Sequence, residues 1–190
     1  MEFFETSKYF YFKKSVYVSL RWIGIIGQFI TVNFVFFFLN LTFDLFIANA
    51  IIFLGILSNL YLIFIHKKNE LSEKLSFFFL VIDILQLGFL LFLTGGIINP
   101  FIIFLLIPSS FSASNLSIKT NSILVLLTTA LIILLTFFSM DLPKPLNDHF
   151  HVSPYYYYAI PLALIIALFF LNYFAMIFGQ QSRLKRKALE

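Results

Sequence analysis

Asp83 is the one carboxylate that lies deep within a long apolar stretch of this sequence, in the segment LVIDILQLGFLLFLTGG. A charged group in such a stretch costs several kcal/mol unless it faces protein or water, so it indicates a functional site by default. In a helix, with about 100° per residue, it belongs to a polar stripe that runs toward the end of the stretch. The stripe comprises Ser76, Asp83, Gln86, Leu90 and Thr94.

Two interpretations of this stripe stay open. In the first, it is a proton or hydrogen-bond relay that couples a ligand at its far end to a bundle of helices. In the second, it holds helices together, and a protonated Asp83 bonds across to an amide on a neighbouring helix. The amides considered are Gln28, Asn33 and Asn59. Pro161 and Asn172 are expected to serve kinking and packing in the last helix.

The stripe leads to a second group of special residues, in the segment TGGIINPF. Gly95 or Gly96 can adopt the left-handed conformation that ends a helix. Asn99 is a good N-cap, since its side chain accepts a hydrogen bond from an early helical N–H. Pro100 fits the first helical position, where its missing N–H is no loss. The segment therefore predicts that one helix stops, the chain turns and another helix starts.

The same residues also offer groups for binding. Adjacent glycines let a ligand approach the backbone closely, and a helix start presents N–H donors and a positive dipole end. Asn99 adds an amide, and Phe101 adds an aromatic face. A quinone has two carbonyl acceptors on a flat ring and an isoprenoid tail that stays in lipid, so it matches these groups in kind.

The composition indicates which elements must position these residues, because 61% of the 190 residues are hydrophobic and only 12% are charged. Lipid must be the solvent for most of this apolar surface. The runs do not alternate as barrel strands do, so an all-α polytopic membrane protein is predicted. Six transmembrane helices are expected, of which the fourth is short and contains Pro108: Arg21–Leu39, Asp44–Ile65, Leu75–Thr94, Phe101–Leu116, Asn121–Met140 and Tyr155–Phe178.

The basic residues predict the orientation of these helices. Nearly all of them precede the first helix, follow the sixth, or lie in the second-to-third and fourth-to-fifth connections, and only Lys144 falls on the other side. Both ends are therefore expected to be cytoplasmic. The N-terminal segment is read as an interfacial amphipathic helix or a plain lead-in, without a cleavable signal peptide. The absence of cysteine excludes disulfides and thiolate metal sites within the chain.

The last outer connection, DLPKPLNDHFHVSP, carries two histidines that can share a metal ion, His149 and His151. No further group of ligands is near these two histidines in the sequence, so a solvated loop is preferred and no metal is expected. The following run, Tyr155–Tyr158, is expected to lie in an aromatic belt at the membrane interface.

The heptapeptide GGIINPF, from Gly95 to Phe101, follows a helix with Asp83 and Gln86. RWIGIIGQ opens the first helix, with Arg-Trp and Gly-Gln pairs at Arg21, Trp22, Gly27 and Gln28. LSNLYL in the second helix and LPKP in the last outer loop are weaker motifs. Together with the six-helix layout, these motifs resemble the membrane part of the RegB/PrrB/ActS redox-responsive sensor histidine kinases. The resemblance covers essentially the whole chain, and the heptapeptide is its specific part.

The resemblance implies a membrane sensor region, in the bacterial inner membrane, that binds ubiquinone and relays the state of the quinone pool to a cytoplasmic kinase. The quinone-binding residues would be Gly95, Gly96, Asn99, Pro100 and Phe101. The intramembrane relay or packing residues would be Gln28, Asp83 and Gln86. A homodimer, a cognate response regulator and ATP in the kinase part are implied as well, whereas direct contact with nucleic acid is not.

Only the sensor part of such a kinase is expected here, and no catalytic residue with it. Residues 1–20 are read as a cytoplasmic lead-in, 21–178 as the six-span sensor domain and 179–190 as the start of a cytoplasmic signalling helix. The family's phosphorylated histidine, ATP-binding domain and redox-active cysteine have no counterpart among these residues.

The main alternative is a small transporter or channel subunit that uses Asp83 as a proton or cation site. The short fourth helix favours it, although no internal repeat is evident. A quinone-handling subunit of a respiratory enzyme would need haem or metal ligands, and no histidine lies inside a span. A purely structural anchor would have no need of the polar stripe.

Overall fold

The computed structural model describes residues 12–64, 66–146 and 152–187. Most of them are helical, as predicted: α1 Lys14–Phe37, α2 Leu45–Phe64, α3 Glu73–Leu93, α4 Leu106–Asn115, α5 Ile118–Phe137 and α6 Pro154–Lys187. Two short 3-10 helices, η1 Gly96–Ile98 and η2 Pro100–Leu105, join α3 to α4. A pair of two-residue strands, β1 Phe12–Lys13 and β2 Glu70–Leu71, lies at the start of α1.

Five of these helices, α1, α2, α3, α5 and α6, are long and apolar enough to cross a membrane. Their outward faces carry large apolar side chains that are mostly uncovered, such as Ile23, Phe46 and Leu126. An apolar surface of this extent marks a molecule whose surroundings are apolar too. The fourth predicted span is divided between η2 and α4. Pro108 accounts for the division, since it has no N–H and is accommodated only in the first turn of an α-helix.

Contacts between helix ends establish how the helices run. Lys14 Nζ at the start of α1 donates to the carbonyl of Ile63 in α2, at 2.9 Å. The backbone N–H of Ser117, before α5, donates to the carboxylate of Glu73 at the start of α3, over 3.2 Å. A guanidinium nitrogen of Arg183 in α6 donates to the Ser114 carbonyl of α4, at 3.0 Å. These residues therefore share one end of the bundle, which we call the basic end.

The opposite end, which we call the turn end, contains GGIINPF. There the backbone N–H of Met140, after α5, donates to the carbonyl of Phe92 in α3 over 2.9 Å. The Tyr157 hydroxyl of α6 donates to the Thr136 carbonyl of α5. Along the chain the long helices thus alternate in direction, except that α3 and α5 run the same way. They do so because η2 with α4 leads between them from the turn end back to the basic end.

Helix α3 forms the centre of the packing. Its buried side chains, including Leu80, Ile84 and Leu91, join those of α4 and α5 in one large cluster. A smaller cluster attaches the first two helices through Ile25 in α1 and Ile52 in α2. The polar stripe therefore lies on the most enclosed of the five long helices described, and the turn follows that helix directly.

Candidate functional site

The GGIINPF segment has the backbone that its sequence predicts. Thr94 follows the last residue of α3, and Gly95 and Gly96 both have positive φ, 106° and 55°. Glycine adopts such angles without the steric cost that other residues meet. Pro100 is the first residue of η2. The predicted sequence of helix stop, turn and helix start is confirmed.

The side chain of Asn99 holds this turn together through three hydrogen bonds. Its Oδ1 accepts from the backbone N–H of Phe101 at 2.9 Å, which is the predicted N-cap bond. Its Nδ2 donates to both Thr94 oxygens, the carbonyl at 3.0 Å and the hydroxyl at 2.7 Å. The carbonyl of Asn99 also accepts from the N–H of Ile102 over 3.0 Å. The side chain of Asn99 and the first donors of η2 thus have partners within the turn.

The two glycines face other parts of the chain. A side chain at Gly95 would meet Leu142, with a Cβ 2.5 Å from a Leu142 methyl group. A Cβ at Gly96 would lie 2.7 Å from the Leu135 carbonyl oxygen and would also meet Ser139. Because these glycines have no side chains, the end of α5 and the segment after it can pack closely against the turn.

The outward surface of the turn is aromatic. Phe101 is 38% exposed and Phe104 is 48% exposed. Their rings stack with a centroid separation of 5.9 Å and an interplanar angle of 26°. Among the residues predicted to bind a quinone, Phe101 and Pro100 are thus the two with exposed surface, whereas Asn99 is 8% exposed.

The carboxylate of Asp83 has a partner that the sequence interpretation did not give it. Arg21 in α1 binds its Oδ1 through two nitrogens, Nε at 2.9 Å and Nη2 at 2.8 Å. The Tyr17 hydroxyl donates to Oδ2 over 2.7 Å. A hydrogen bond in which donor and acceptor are both charged is about twice as strong as one between neutral groups. The face of Phe79 covers the guanidinium, with Cζ 5.2 Å from the ring centroid.

Helix α2 completes the surroundings of Arg21. Its Nη2 donates to the Ser58 hydroxyl at 2.6 Å, and its Nη1 lies 3.5 Å from Asn59 Oδ1. The amide of Asn59 in turn donates to the Val18 carbonyl over 3.3 Å. We call the group of Tyr17, Arg21, Ser58, Asn59 and Asp83 the ion-pair cluster, and it ties α1, α2 and α3 together.

The prediction that Asp83 bonds to Gln28, Asn33 or Asn59 is wrong. Asn59 reaches Arg21 instead, and Asn33 pairs with Asn49 at 3.1 Å. The physical reason is that α1 begins at Lys14, so Arg21 lies inside the helix and supplies a countercharge that an amide cannot. The sequence interpretation named Arg21 as the first residue of the first helix and in the RWIGIIGQ motif, and gave it no partner. Its i, i+4 spacing from Tyr17 was the signal available.

The remaining residues of the polar stripe form separate contacts. Gln86 Nε2 donates to Gln28 Oε1 at 3.0 Å, and the Gln86 amide lies against Gly55 of α2, where a Cβ would not fit. The Thr94 hydroxyl donates to the Leu90 carbonyl over 2.7 Å. Within the described ranges no hydrogen bond joins Gln86 to Thr94, which are eight residues or about 12 Å apart along the helix. This arrangement supports the packing interpretation over a continuous relay.

The ion pair also bears on the transporter alternative. A cation or proton site needs a carboxylate that exchanges its partner for the transported ion. Asp83 instead holds a protein guanidinium with two nitrogens, and the Arg21 side chain is only 3% exposed. Among the residues that the structure describes, no group of three potential metal ligands comes together. His149 and His151 lie outside the described residues.

The tyrosine run and the polar residues of α6 follow their predicted environments in part. Tyr155, Tyr156 and Tyr158 are exposed, as residues of an aromatic belt would be. Asn172 is buried, and its amide donates within its own helix to the Leu168 carbonyl at 2.8 Å. Pro161 is accommodated within α6, which continues past the predicted span to Lys187.

Comparison with known proteins gives one informative relative. The chain is similar to sensor histidine kinase RegB of Cereibacter sphaeroides, at 26% identity over 159 residues. The match covers 83% of this chain and 34% of that protein, so the chain spans about a third of the length of its relative. Comparisons with protein-family models and with solved structures found no match. The similarity and the apolar helices fit a membrane sensor region.

Proposed function

We propose that this chain is the membrane sensor region of a redox-responsive histidine kinase, and that it binds ubiquinone beside the GGIINPF turn. The similarity to RegB over 83% of the chain carries this proposal. The stacked, outward-facing pair of Phe101 and Phe104 at the turn end supports it, since a flat ring can stack there while its tail stays in lipid.

Hydrogen bonding to the ring requires the turn to open slightly. The donors that we assign to the ring are the two N–H groups of Asn99 Nδ2, which now bond to Thr94. A quinone carbonyl that accepts a hydrogen bond from Asn99 Nδ2 replaces one of its bonds to Thr94, and so removes a link between the end of α3 and the start of η2. Ligand binding is thereby coupled to the position of η2.

The two redox states of the ligand differ in these contacts. A quinone offers two acceptors, whereas the quinol offers two hydroxyl donors. The amide nitrogen of Asn99 can donate to an oxygen of either form, but only the quinol can also donate, to an oxygen of Asn99 or Thr94. Such a difference in contacts is what a ligand needs to shift a conformational equilibrium.

For the topology, we propose six crossings with both ends cytoplasmic in a bacterial inner membrane. Six residues of η2 at about 2.0 Å and ten of α4 at about 1.5 Å give a length of about 27 Å, close to the hydrocarbon thickness of about 30 Å. The basic end carries Lys14, Lys67, Lys68, Lys74, Lys119 and Arg183, in keeping with the positive-inside rule.

Labelling tests this topology directly because the chain has no cysteine of its own. In intact cells, a membrane-impermeant maleimide should label Lys144→Cys and should label Lys119→Cys only after the membrane is opened. Labelling of Lys119→Cys in intact cells would show that η2 and α4 turn back without crossing.

The partners of the whole protein follow from the same proposal. RegB is named a sensor histidine kinase, so we assign to the protein that contains this region an ATP-dependent kinase part, a response regulator and a homodimeric state. This chain would supply the quinone-dependent input.

Ligand titration tests the site. In nanodiscs, decylubiquinone should bind, and Phe101→Ala should raise its Kd about fivefold, as expected for loss of about 1 kcal/mol of aromatic stacking. Asn99→Ala should weaken binding similarly. The control is Phe37→Ala, a 63% exposed phenylalanine at the end of α1, which should leave Kd unchanged. Equal affinity in Phe101→Ala, Asn99→Ala and the parent chain would exclude these residues from the site.

A further inference from the structure

Helix α4 is shaped for close packing. Its sequence, LIPSSFSASN, is rich in small residues. Ser109 and Ser110 donate back to the Leu106 carbonyl at 3.1 and 2.8 Å, and Ser114 donates to the Phe111 carbonyl at 2.9 Å. Hydroxyls satisfied within their own helix leave a smooth surface, which lets another helix approach at backbone distance.

Gly179 in α6 makes that approach. A Cβ at this position would lie 2.7 Å from the Ser114 Cα and would also meet the Ser114 carbonyl oxygen. These are backbone atoms that no side-chain rotation can remove, so only glycine fits between the two helices. The contact lies at the basic end, where α6 leaves the bundle.

Arg183, one turn further along α6, fixes the same contact. It is 7% exposed and donates to the Ser114 carbonyl, near the end of α4. A cation there satisfies a terminal carbonyl and favours the negative end of the helix dipole. Thus α4 meets the outgoing part of α6 through a glycine contact and a buried charged cap.

Helix α4 touches the other two features of the protein as well. It continues directly from η2, whose first residue is Pro100 of the turn. Its Phe111 ring stacks on Tyr17 at a centroid distance of 6.2 Å, and Tyr17 donates to Asp83 of the ion-pair cluster. A movement of η2 therefore reaches the cluster through Phe111 and α6 through Ser114.

We propose that η2 and α4 form one coupling element, which transmits a change at the turn to α6 through the contact of Ser114 with Gly179 and Arg183. The nature of the ligand rests on the proposed function, but the coupling does not. Packed helices respond to such a push by small shifts of about 1–2 Å between discrete arrangements.

The cysteine-free chain permits a direct test in nanodiscs. Spin labels at Ile107→Cys in α4 and Leu184→Cys in α6, which are 58% and 59% exposed, report the distance between the helices by pulsed electron resonance. Two perturbations of the turn are compared: saturating decylubiquinone, and Asn99→Ala without ligand, which removes the bonds that hold the turn. Each is measured in the otherwise unchanged labelled chain, and again with Gly179→Ala or Arg183→Ala added. The matched control is Gly24→Ala, since nothing lies within 4 Å of a Cβ at Gly24.

Asn99→Ala should shift the mean distance by about 1–2 Å, and Gly179→Ala and Arg183→Ala should abolish the shift while Gly24→Ala preserves it. An unchanged distance in folded Asn99→Ala, or a shift that survives both α6 substitutions, overturns the coupling. Arg183→Ala decides the matter if Gly179→Ala does not fold. A shift with Asn99→Ala but no binding of decylubiquinone keeps the coupling and removes the quinone. If decylubiquinone binds but neither the ligand nor Asn99→Ala shifts the distance, the quinone site stands and the coupling is overturned.

Discussion

The ion pair between Arg21 and Asp83 gives the sharpest prediction about stability. Arg21 lies seven residues into α1 and Asp83 ten residues into α3, or about 10 and 15 Å along their helices. Each charge thus lies about two or three turns from the end of a helix that is long and apolar enough to cross a membrane. Removing one partner leaves the other charge uncompensated, which costs about 3–5 kcal/mol in protein interiors and about 2.5–3.5 kcal/mol at the centre of a membrane span. We therefore expect Arg21→Leu and Asp83→Leu each to lower the free energy of unfolding by about 3 kcal/mol.

The double substitution distinguishes the stability effect of pairing the two charges from the effect of burying each charge separately. Ser58 retains its bond to the Gly55 carbonyl and Asn59 its bond to Val18, so loss of Arg21 leaves few groups without partners. Arg21→Leu with Asp83→Leu should therefore lose at most about 3 rather than about 6 kcal/mol, which corresponds to a coupling energy of at least about 3 kcal/mol. Part of the remaining loss comes from the Tyr17 hydroxyl, which no longer has Asp83 as its acceptor.

Unfolding in mixed micelles, followed by the fluorescence of Trp22, measures these values, since Trp22 is the single tryptophan. Leu85→Ala, an outward-facing change two residues beyond Asp83 in α3, is the control and should stay within about 0.5 kcal/mol of the parent. Additive losses in the double variant would refute the reasoning, because they would mean that the two charges act independently.

Two further changes test the packing at either end of the bundle. Gly96→Ala should cost about 2 kcal/mol or more in the same unfolding assay, since φ is 55° and a Cβ would crowd the Leu135 carbonyl; Gly24→Ala, in open surroundings, should be neutral or gain up to about 1 kcal/mol. Glu73→Ala should cost about 1–2 kcal/mol and speed hydrogen exchange at the Ser117 amide, because it removes the acceptor shared by Ser117 and Thr120. Exchange at the parent rate would show that this carboxylate does not hold the start of α5.

Local chemistry made much of this molecule predictable. The turn is the clearest case, because a positive φ at Gly95, a cap at Asn99 and a helix start at Pro100 each depend on residues within a few positions. The helical class followed from the length and apolarity of the runs. The start of α1 could not be predicted in this way, since the charged and aromatic residues before Arg21 are equally typical of a lead-in to the helix.

Long-range contacts were beyond such rules. Asp83 meets Arg21 from a distance of 62 residues in sequence, and Ser114 meets Arg183 from 69. In a chain that is apolar on every face, hydropathy does not tell the side that packs against protein from the side that faces lipid. Gly179 illustrates the difficulty, because in sequence it is one glycine in a long apolar helix.

The sequence by itself thus determined the helices, the turn and the asymmetric placement of positive charge, because each depends on residue type and short spacing. The tertiary structure alone decided what those residues do to one another. It paired Asp83 with Arg21, closed the glycines of the turn against the end of α5, and set α4 between the turn and α6. Those outcomes depend on which helix faces meet, and helix packing settles that by shape and charge across the whole bundle.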